Sequence, residues 1–172
     1  PTIHGMKADG IPFTGFLYAG LMIDDQGRAK TLEFNTRMGD PETQPILMRL
    51  KSDLVDVMMQ ATAGTLDQAE LVWDRHVALG VVMAAAGYPE SPRKGDEVSG
   101  LPGDAPDAKV FHAGTAHAED GRLLTSGGRV LCVTALGESV KTAQQRAYEF
   151  LEPIRFAGAQ FRTDIGYRAI KR

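Results

Sequence analysis

A four-residue turn sequence near the start of the chain separates two strand-like runs and restricts how this part can fold. Asp24-Asp25-Gln26-Gly27 is typical of a tight turn. The run before it, residues 13–23 (FTGFLYAGLMI), is almost continuously apolar, and residues 29–35 form a second run. We therefore predict an antiparallel hairpin. Its first strand should be buried on both faces, because a strand with one solvent-exposed face would alternate apolar and polar residues.

Helix signals follow the hairpin. Asp40 is a good N-cap and Pro41 suits a first helical position, so we predict a helix from Pro41 to about residue 63. Pro45 is tolerated near the start or splits the segment into two helices. Gly64 is a reasonable stop.

The second half of the chain favours strands and one further helix. Apolar runs predict strands over 77–86, 109–118 and 129–135, and a helix over 139–151. The segment 88–108 is rich in proline and glycine, which predicts a loop with one short edge strand near Glu97 and Val98. These elements together indicate an α+β protein.

Composition excludes several classes of function. The formal net charge is −3, so the chain has no overall attraction to nucleic acid or to an anionic membrane. No run of about 18 apolar residues could span a bilayer. Cys132 is the single cysteine, which excludes an internal disulfide framework and predicts a reduced, buried side chain in a cytoplasmic protein.

The sharpest chemical signal is the tripeptide Glu33-Phe34-Asn35. Residues two apart on a strand share a face, so Glu33 and Asn35 present two hard oxygen donors, with Phe34 buried behind them. Such donors suit Mg²⁺ or Mn²⁺. Arg37 follows and is placed to meet an anion beside the metal. A polar edge strand without a ligand is the alternative.

Two loops could bind phosphate. In the segment 37–42 (RMGDPE), a helix N-terminus beside Arg37 would attract an anion, although a capped helix after a turn explains the same residues. Ser126-Gly127-Gly128-Arg129 could cradle a phosphate through backbone amides, although a plain turn or bulge also fits. The four histidines form no triad pattern and are expected to have structural or surface roles.

These strings resemble the glycinamide ribonucleotide synthetase family of ATP-grasp ligases. The resemblance starts with PFTGFLYAGLMI and LEFNTRMGDPETQ. It continues through GYPESPRKGDEVSGL, KVFHAGT, LLTSGGRVLCVTALGESVKTAQQRAY and FRTDIGYRAI, and so covers essentially the whole chain in order.

The resemblance implies an architecture. Residues 1–70 would be the last part of an ATP-grasp catalytic domain, with antiparallel strands plus a helix. Residues 71–172 would be a small C-terminal β-rich domain with one long helix. The chain would be the C-terminal piece of a longer enzyme, whose missing N-terminal part supplies the rest of the site.

The resemblance also implies a reaction and its residues. The family joins glycine to 5-phosphoribosylamine with ATP, through glycyl phosphate, to give glycinamide ribonucleotide, ADP and phosphate in purine biosynthesis. Glu33 and Asn35 would bind the divalent metal that accompanies ATP, and Arg37 and Asp40 are the candidate catalytic residues. The chain alone is expected to be inactive.

One departure and two alternatives remain. Many ATP-grasp enzymes carry another carboxylate on the preceding strand, and residues 13–23 contain none. The alternatives are a related ATP-grasp ligase with a different amine acceptor, and a non-catalytic binding or assembly module.

Overall fold

The computed structural model describes residues 1–103 and 105–171, and its contacts divide the chain into two compact units. We call residues 1–40 and 50–73 the hairpin unit, and Pro41–Arg49 with the chain from Asp74 onward the sheet unit. The domain division at residue 70 stays a prediction.

The hairpin unit begins with a helix that the sequence did not predict, α1 (Thr2–Ala8). The predicted hairpin is confirmed: β1 (Tyr18–Ile23) pairs antiparallel with β2 (Ala29–Asn35). Asp24 closes the turn, where its side chain accepts hydrogen bonds from the Arg28 backbone at 2.9 Å and from Arg28 Nε at 2.8 Å. These bonds hold the pKa of Asp24 below its ordinary value.

The expectation of a doubly buried first strand is wrong. β1 starts at Tyr18, five residues later than predicted, and Leu21, Met22 and Ile23 are exposed. Phe34, expected to be buried behind the polar face, is 47% exposed. A two-stranded sheet buries a face only where another layer packs on it, so these side chains remain accessible in this chain.

The predicted helix 41–63 is two helices, α2 (Thr43–Arg49) and α3 (Leu54–Ala63). The break is not at Pro45, which is tolerated inside α2. At Leu50 the chain becomes extended and forms an antiparallel bridge with Trp73. Asp53 then caps α3 by accepting a hydrogen bond from the Val55 N–H at 2.7 Å.

The α3 helix stops where the sequence predicted. Gly64 has a left-handed φ of 73°, and its N–H bonds back to the Ala61 carbonyl. A 3-10 turn, Leu66–Gln68, follows within the hairpin unit.

The sheet unit contains a three-stranded antiparallel sheet. Its strands are β3 (Val77–Ala84), β4 (Ala108–His112) and β7 (Arg129–Gly137), in the order β3-β7-β4. Two short strands, β5 (Thr115–His117) and β6 (Leu123–Thr125), form a separate hairpin.

The prediction of one strand over 109–118 is wrong, because the strand is interrupted between β4, which ends at His112, and β5, which begins at Thr115. A Cβ on Gly114 would lie 2.7 Å from the Arg129 carbonyl oxygen and 2.7 Å from Gly127 Cα. Two backbones therefore meet at this break, which only glycine allows. In the described part of the segment 88–108, Val98 N–H bonds to the Leu123 carbonyl at 2.8 Å, consistent with the predicted short edge strand; Asp104 lies outside the described residues.

One long helix covers a face of this sheet. α4 (Val140–Leu151) begins at Ser139, whose Oγ accepts the Thr142 N–H at 3.1 Å. Its buried side chains Ala143, Ala147 and Leu151 pack on the core face of β3 and β7. A four-residue helix, α5 (Tyr167–Ile170), follows near the end of the described chain.

The other face of the sheet is partly covered by α2. A Cβ on Gly80 would lie 3.3 Å from Pro45 Cγ and 3.1 Å from Cys132 Sγ. Cys132 is buried, as predicted, and is in no disulfide; its Sγ lies 3.5 Å from Thr134 Oγ1.

Candidate functional site

The candidate metal ligands lie on one face of the β1–β2 hairpin. In the register of the hairpin, Tyr18 pairs with Asn35 and Gly20 pairs with Glu33. Cross-strand partners share a face, so these four side-chain positions form one surface. Sequence spacing predicted the Glu33 and Asn35 pair but missed Tyr18 and Gly20, since only the pairing register brings them together.

A β-bulge lies beside Glu33. The pairing moves from Gly20 with Glu33 to Leu21 with Thr31, which leaves Leu32 as the extra residue. Bulges re-aim neighbouring side chains. A Cβ on Gly20 would lie 3.2 Å from Glu33 Cγ, so the glycine leaves room for the stem of this carboxylate.

Asn35 and Arg37 are in contact. Arg37 donates a hydrogen bond to Asn35 Oδ1 at 3.3 Å and another to the Met38 carbonyl at 2.9 Å. Asn35 Nδ2 is buried and has no hydrogen-bond partner in the described structure. The amide oxygen has two lone pairs, so it can keep the Arg37 bond and still face a cation.

The oxygen donors of Glu33 and Asn35 fit a hard divalent cation. Within residues 1–103 and 105–171, no group of three or more His, Cys, Asp or Glu side chains could enclose a metal. A cation here would therefore depend on two protein oxygens and complete its shell with water or phosphate oxygens, which is the usual situation for Mg²⁺.

The α2 helix begins two residues later than the predicted start at Pro41. The helix begins at Thr43, and the Glu42 carbonyl accepts the hydrogen bond of the Ile46 N–H at 3.2 Å. Helix ends are the least certain part of a sequence prediction, because capping residues also occur in turns. The catalytic roles of Arg37 and Asp40 stay predictions.

The other candidate loop has a packing role. Ser126 N–H bonds to the Gly114 carbonyl at 2.7 Å, so this amide is used inside the fold. A Cβ on Gly128 would lie 2.5 Å from Cδ2 of Tyr88, so the glycine accommodates an aromatic ring. The turn or bulge interpretation of residues 126–129 is thus the one that the structure favours.

Two histidines have structural partners. His76 Nδ1 lies 2.7 Å from Asp74 Oδ1, and His112 Nδ1 lies 3.2 Å from Thr115 Oγ1. These contacts are local, three residues apart or fewer, and they agree with the structural or surface role expected from the sequence.

Comparison with models of known protein families shows which family this chain belongs to. Residues 78–168 match the family model "Phosphoribosylglycinamide synthetase, C domain", and residues 1–43 match "Phosphoribosylglycinamide synthetase, ATP-grasp (A) domain". The chain belongs to the phosphoribosylglycinamide synthetase family. The resemblance inferred from the sequence strings is thereby confirmed, and Glu33, Asn35, Arg37 and Asp40 all lie in the segment that matches the A domain.

Curated relatives of the synthetase family match along the whole chain. The chain is 63% identical over 172 residues to phosphoribosylamine–glycine ligase of Ralstonia nicotianae, and 59% identical over 173 residues to that of Salmonella typhimurium. In both cases 100% of the chain aligns with 40% of the relative. The chain thus spans the C-terminal portion, about two fifths, of these relatives.

Solved structures agree on the fold. The crystal structure of phosphoribosylamine–glycine ligase from Thermotoga maritima is 40% identical, with a TM-score of 0.81 over 94% of this chain and 39% of that one. A biotin carboxylase domain from Hydrogenobacter thermophilus is 17% identical, with a TM-score of 0.63 over 90% of this chain and 34% of that one, which shows a shared fold alone. The predicted α+β class, with the end of an ATP-grasp domain followed by a β-rich domain, is confirmed.

No helix among the described residues is long and apolar enough to cross a membrane.

Proposed function

We propose that this chain is the C-terminal part of a cytoplasmic ATP-dependent ligase that joins glycine to 5-phosphoribosylamine. The observation that carries the proposal is the Glu33 and Asn35 oxygen pair on a bulged hairpin, in the segment that matches an ATP-grasp domain. The products are glycinamide ribonucleotide, ADP and phosphate, and the reaction belongs to purine biosynthesis.

The chemistry needs an activated carboxylate. A carboxylate oxygen of glycine attacks the γ-phosphorus of ATP, and ADP leaves. The amine nitrogen of 5-phosphoribosylamine then attacks the acyl carbon of glycyl phosphate, loses a proton, and phosphate leaves. Charge on the transferred phosphoryl group must be compensated throughout.

Glu33 and Asn35 would hold the divalent cation, either Mg²⁺ or Mn²⁺, that supplies this compensation. The protein's own contribution is to fix the two oxygens on one face. The bulge at Leu32 and the space above Gly20 set the direction of Glu33, and the Arg37 hydrogen bond restrains the Asn35 amide.

Arg37 would stabilise the acyl phosphate. Its guanidinium uses two donors on Asn35 and Met38, and a guanidinium has five N–H groups in total. The remaining donors can face an anion next to the metal ligands. Asp40, in the same loop, is the second candidate catalytic residue.

The test uses the whole protein and the 172-residue chain side by side. We expect the whole protein to form ADP and glycinamide ribonucleotide only when ATP, divalent metal, glycine and 5-phosphoribosylamine are all present. We expect the 172-residue chain alone to be inactive, because much of the substrate site would lie in the missing part. Turnover by the 172-residue chain would contradict this expectation.

A panel of other amines on the whole protein separates the alternatives. Faster turnover with another acceptor would identify a different ATP-grasp ligase. A whole protein that forms no ADP under any of these conditions would favour a non-catalytic module.

A further inference from the structure

The face of the sheet opposite α4 ends in an open cavity of about 430 Å³ within the sheet unit. α2 covers this face near Gly80 and leaves its far end accessible. The cavity is lined by the end of β3, the start of β7, Tyr88 and the segment 160–162, with Pro41 at its edge. Sequence reasoning missed it, because its walls come from distant parts of the chain.

Three of its side chains are aligned by strand pairing. Ala84 pairs with Arg129 on one side, and it exchanges backbone hydrogen bonds of 2.7 and 2.9 Å with Gln160 on the other. Paired residues on neighbouring strands share a face, so Arg129 and Gln160 flank the small Ala84 side chain. The methyl group of Ala84 leaves space between the two longer side chains.

A second arginine is held in place at the same cavity. Tyr148 Oη donates to the Arg162 carbonyl at 2.6 Å, which anchors the backbone of the segment to α4. Asp164 accepts from Arg162 Nε at 2.9 Å and from Nη2 at 2.8 Å, which fixes one edge of the guanidinium. The planar group can present its other donors to a second acceptor.

The lining combines two arginines with apolar and aromatic surface. Among the described residues that line the cavity, the charged ones are Arg129 and Arg162. Tyr88 lies against Gly128, where any side chain would collide with the ring, and Val82 adds apolar surface. Guanidinium groups donate N–H bonds of the kind that bind a phosphate monoester, and the ring and the Gln160 amide suit a sugar.

We propose that this cavity binds a sugar phosphate monoester, with Arg129 and Arg162 on the phosphate and with Tyr88 and Gln160 beside the sugar. The proposal deepens the proposed function, on which it rests, because 5-phosphoribosylamine is the one reactant of that class. Glycine carries no phosphate, and ATP carries a polyphosphate that the metal ligands of the hairpin unit are suited to accompany.

The test measures binding of ribose 5-phosphate to the 172-residue chain by calorimetry at fixed ionic strength, with ribose and inorganic phosphate as comparison ligands. We expect saturable binding of ribose 5-phosphate, weaker binding of inorganic phosphate and none of ribose. Arg129→Gln or Arg162→Gln should each weaken ribose 5-phosphate binding by about tenfold or more.

Arg122→Gln is the matched control. Arg122 is an exposed arginine of the same unit that pairs with a carboxylate two residues away, Asp120, as Arg162 pairs with Asp164. Its loss removes the same charge outside the cavity, so we expect unchanged affinity. Equal affinities in the Arg129 and Arg122 variants, or no saturable binding to the wild-type chain, would overturn the assignment.

Kinetics of the whole protein provide the second measurement. Arg129→Gln should raise the KM for 5-phosphoribosylamine about tenfold, while the KM for ATP stays unchanged. A rise in the KM for ATP instead would assign the cavity to the nucleotide. The binding experiment needs no turnover, so the cavity assignment can fail or hold independently of the ligase proposal.

Discussion

The two units of this chain differ in what they bury. In residues 1–103 and 105–171, every buried apolar side chain belongs to the sheet unit, where Val81, Leu131 and Val133 are each 0% exposed. In the hairpin unit, Leu32 is 64% and Phe34 is 47% exposed. Among the described residues, the unit that carries the candidate metal ligands therefore buries no apolar side chain fully, and the buried core and the candidate metal ligands lie in different units.

This difference predicts that loss of a candidate metal ligand destroys activity without unfolding the chain. Glu33→Gln keeps the shape of the side chain and removes its charge, so turnover of the whole protein should fall by orders of magnitude, since charge compensation by the metal supplies several kcal/mol. The melting temperature of the 172-residue chain should not change, because Glu33 is exposed.

Asp25→Asn, in the turn of the same hairpin, is the charge-matched control for that experiment. We expect it to leave turnover unchanged. Near-normal activity of Glu33→Gln at saturating Mg²⁺ would remove Glu33 from the metal site.

The same leucine-to-alanine substitution should have a large effect on stability in the sheet unit and a small one in the hairpin unit. Leu131→Ala removes a fully buried side chain from the sheet and should destabilise the chain by about 2–5 kcal/mol. Leu32→Ala removes an exposed one and should change stability by less than about 0.5 kcal/mol. Urea denaturation measures both, and similar losses would mean that the hairpin unit has a core after all.

Substitution of Arg37 tests whether the site needs a planar guanidinium group or only a positive charge. Arg37 bonds to both Asn35 and Met38, which a lysine ammonium cannot reproduce as a planar fork. Arg37→Lys should therefore lower turnover of the whole protein by about tenfold or more. A lysine variant at the wild-type rate would indicate that only a diffuse positive charge is needed.

Sequence patterns predicted the sheet unit better than the hairpin unit, for a physical reason. β3, β7 and α4 were found because their apolar periodicity reflects burial inside this chain. The apolar run before the turn predicted a buried strand by the same logic, and in this chain it is exposed. Periodicity reports that a residue is suited to burial and does not identify what covers it.

Sequence patterns could predict only those features of the candidate site that depend on residues close together in sequence. Two residues on one strand, Glu33 and Asn35, were found from spacing, and the bond from Arg37 to Asn35 spans only two residues. Gly20 and the cavity at Arg129 depend on cross-strand register, and no local pattern encodes a register between strands that are far apart in sequence.

The smallest expected effect concerns the exposed surface of the hairpin unit. Met22 and Phe34 are 56% and 47% exposed, so Met22→Ser with Phe34→Ser should leave the unfolding free energy of the 172-residue chain within about 0.5 kcal/mol. Exposed apolar surface of this kind favours association. We expect the wild-type chain to self-associate in sedimentation experiments and the double variant to do so less.

In the whole protein the same two substitutions should behave differently. The chain spans only 40% of the length of its curated relatives, and in the proposed whole enzyme the further part is available to cover this surface. If it does, burial makes Met22 and Phe34 contribute to stability, and the double variant should lower the melting temperature of the whole protein while that of the 172-residue chain is unchanged. An equal shift in both proteins would show that the surface is not covered, and the contrast between the two units would then be a property of the whole enzyme.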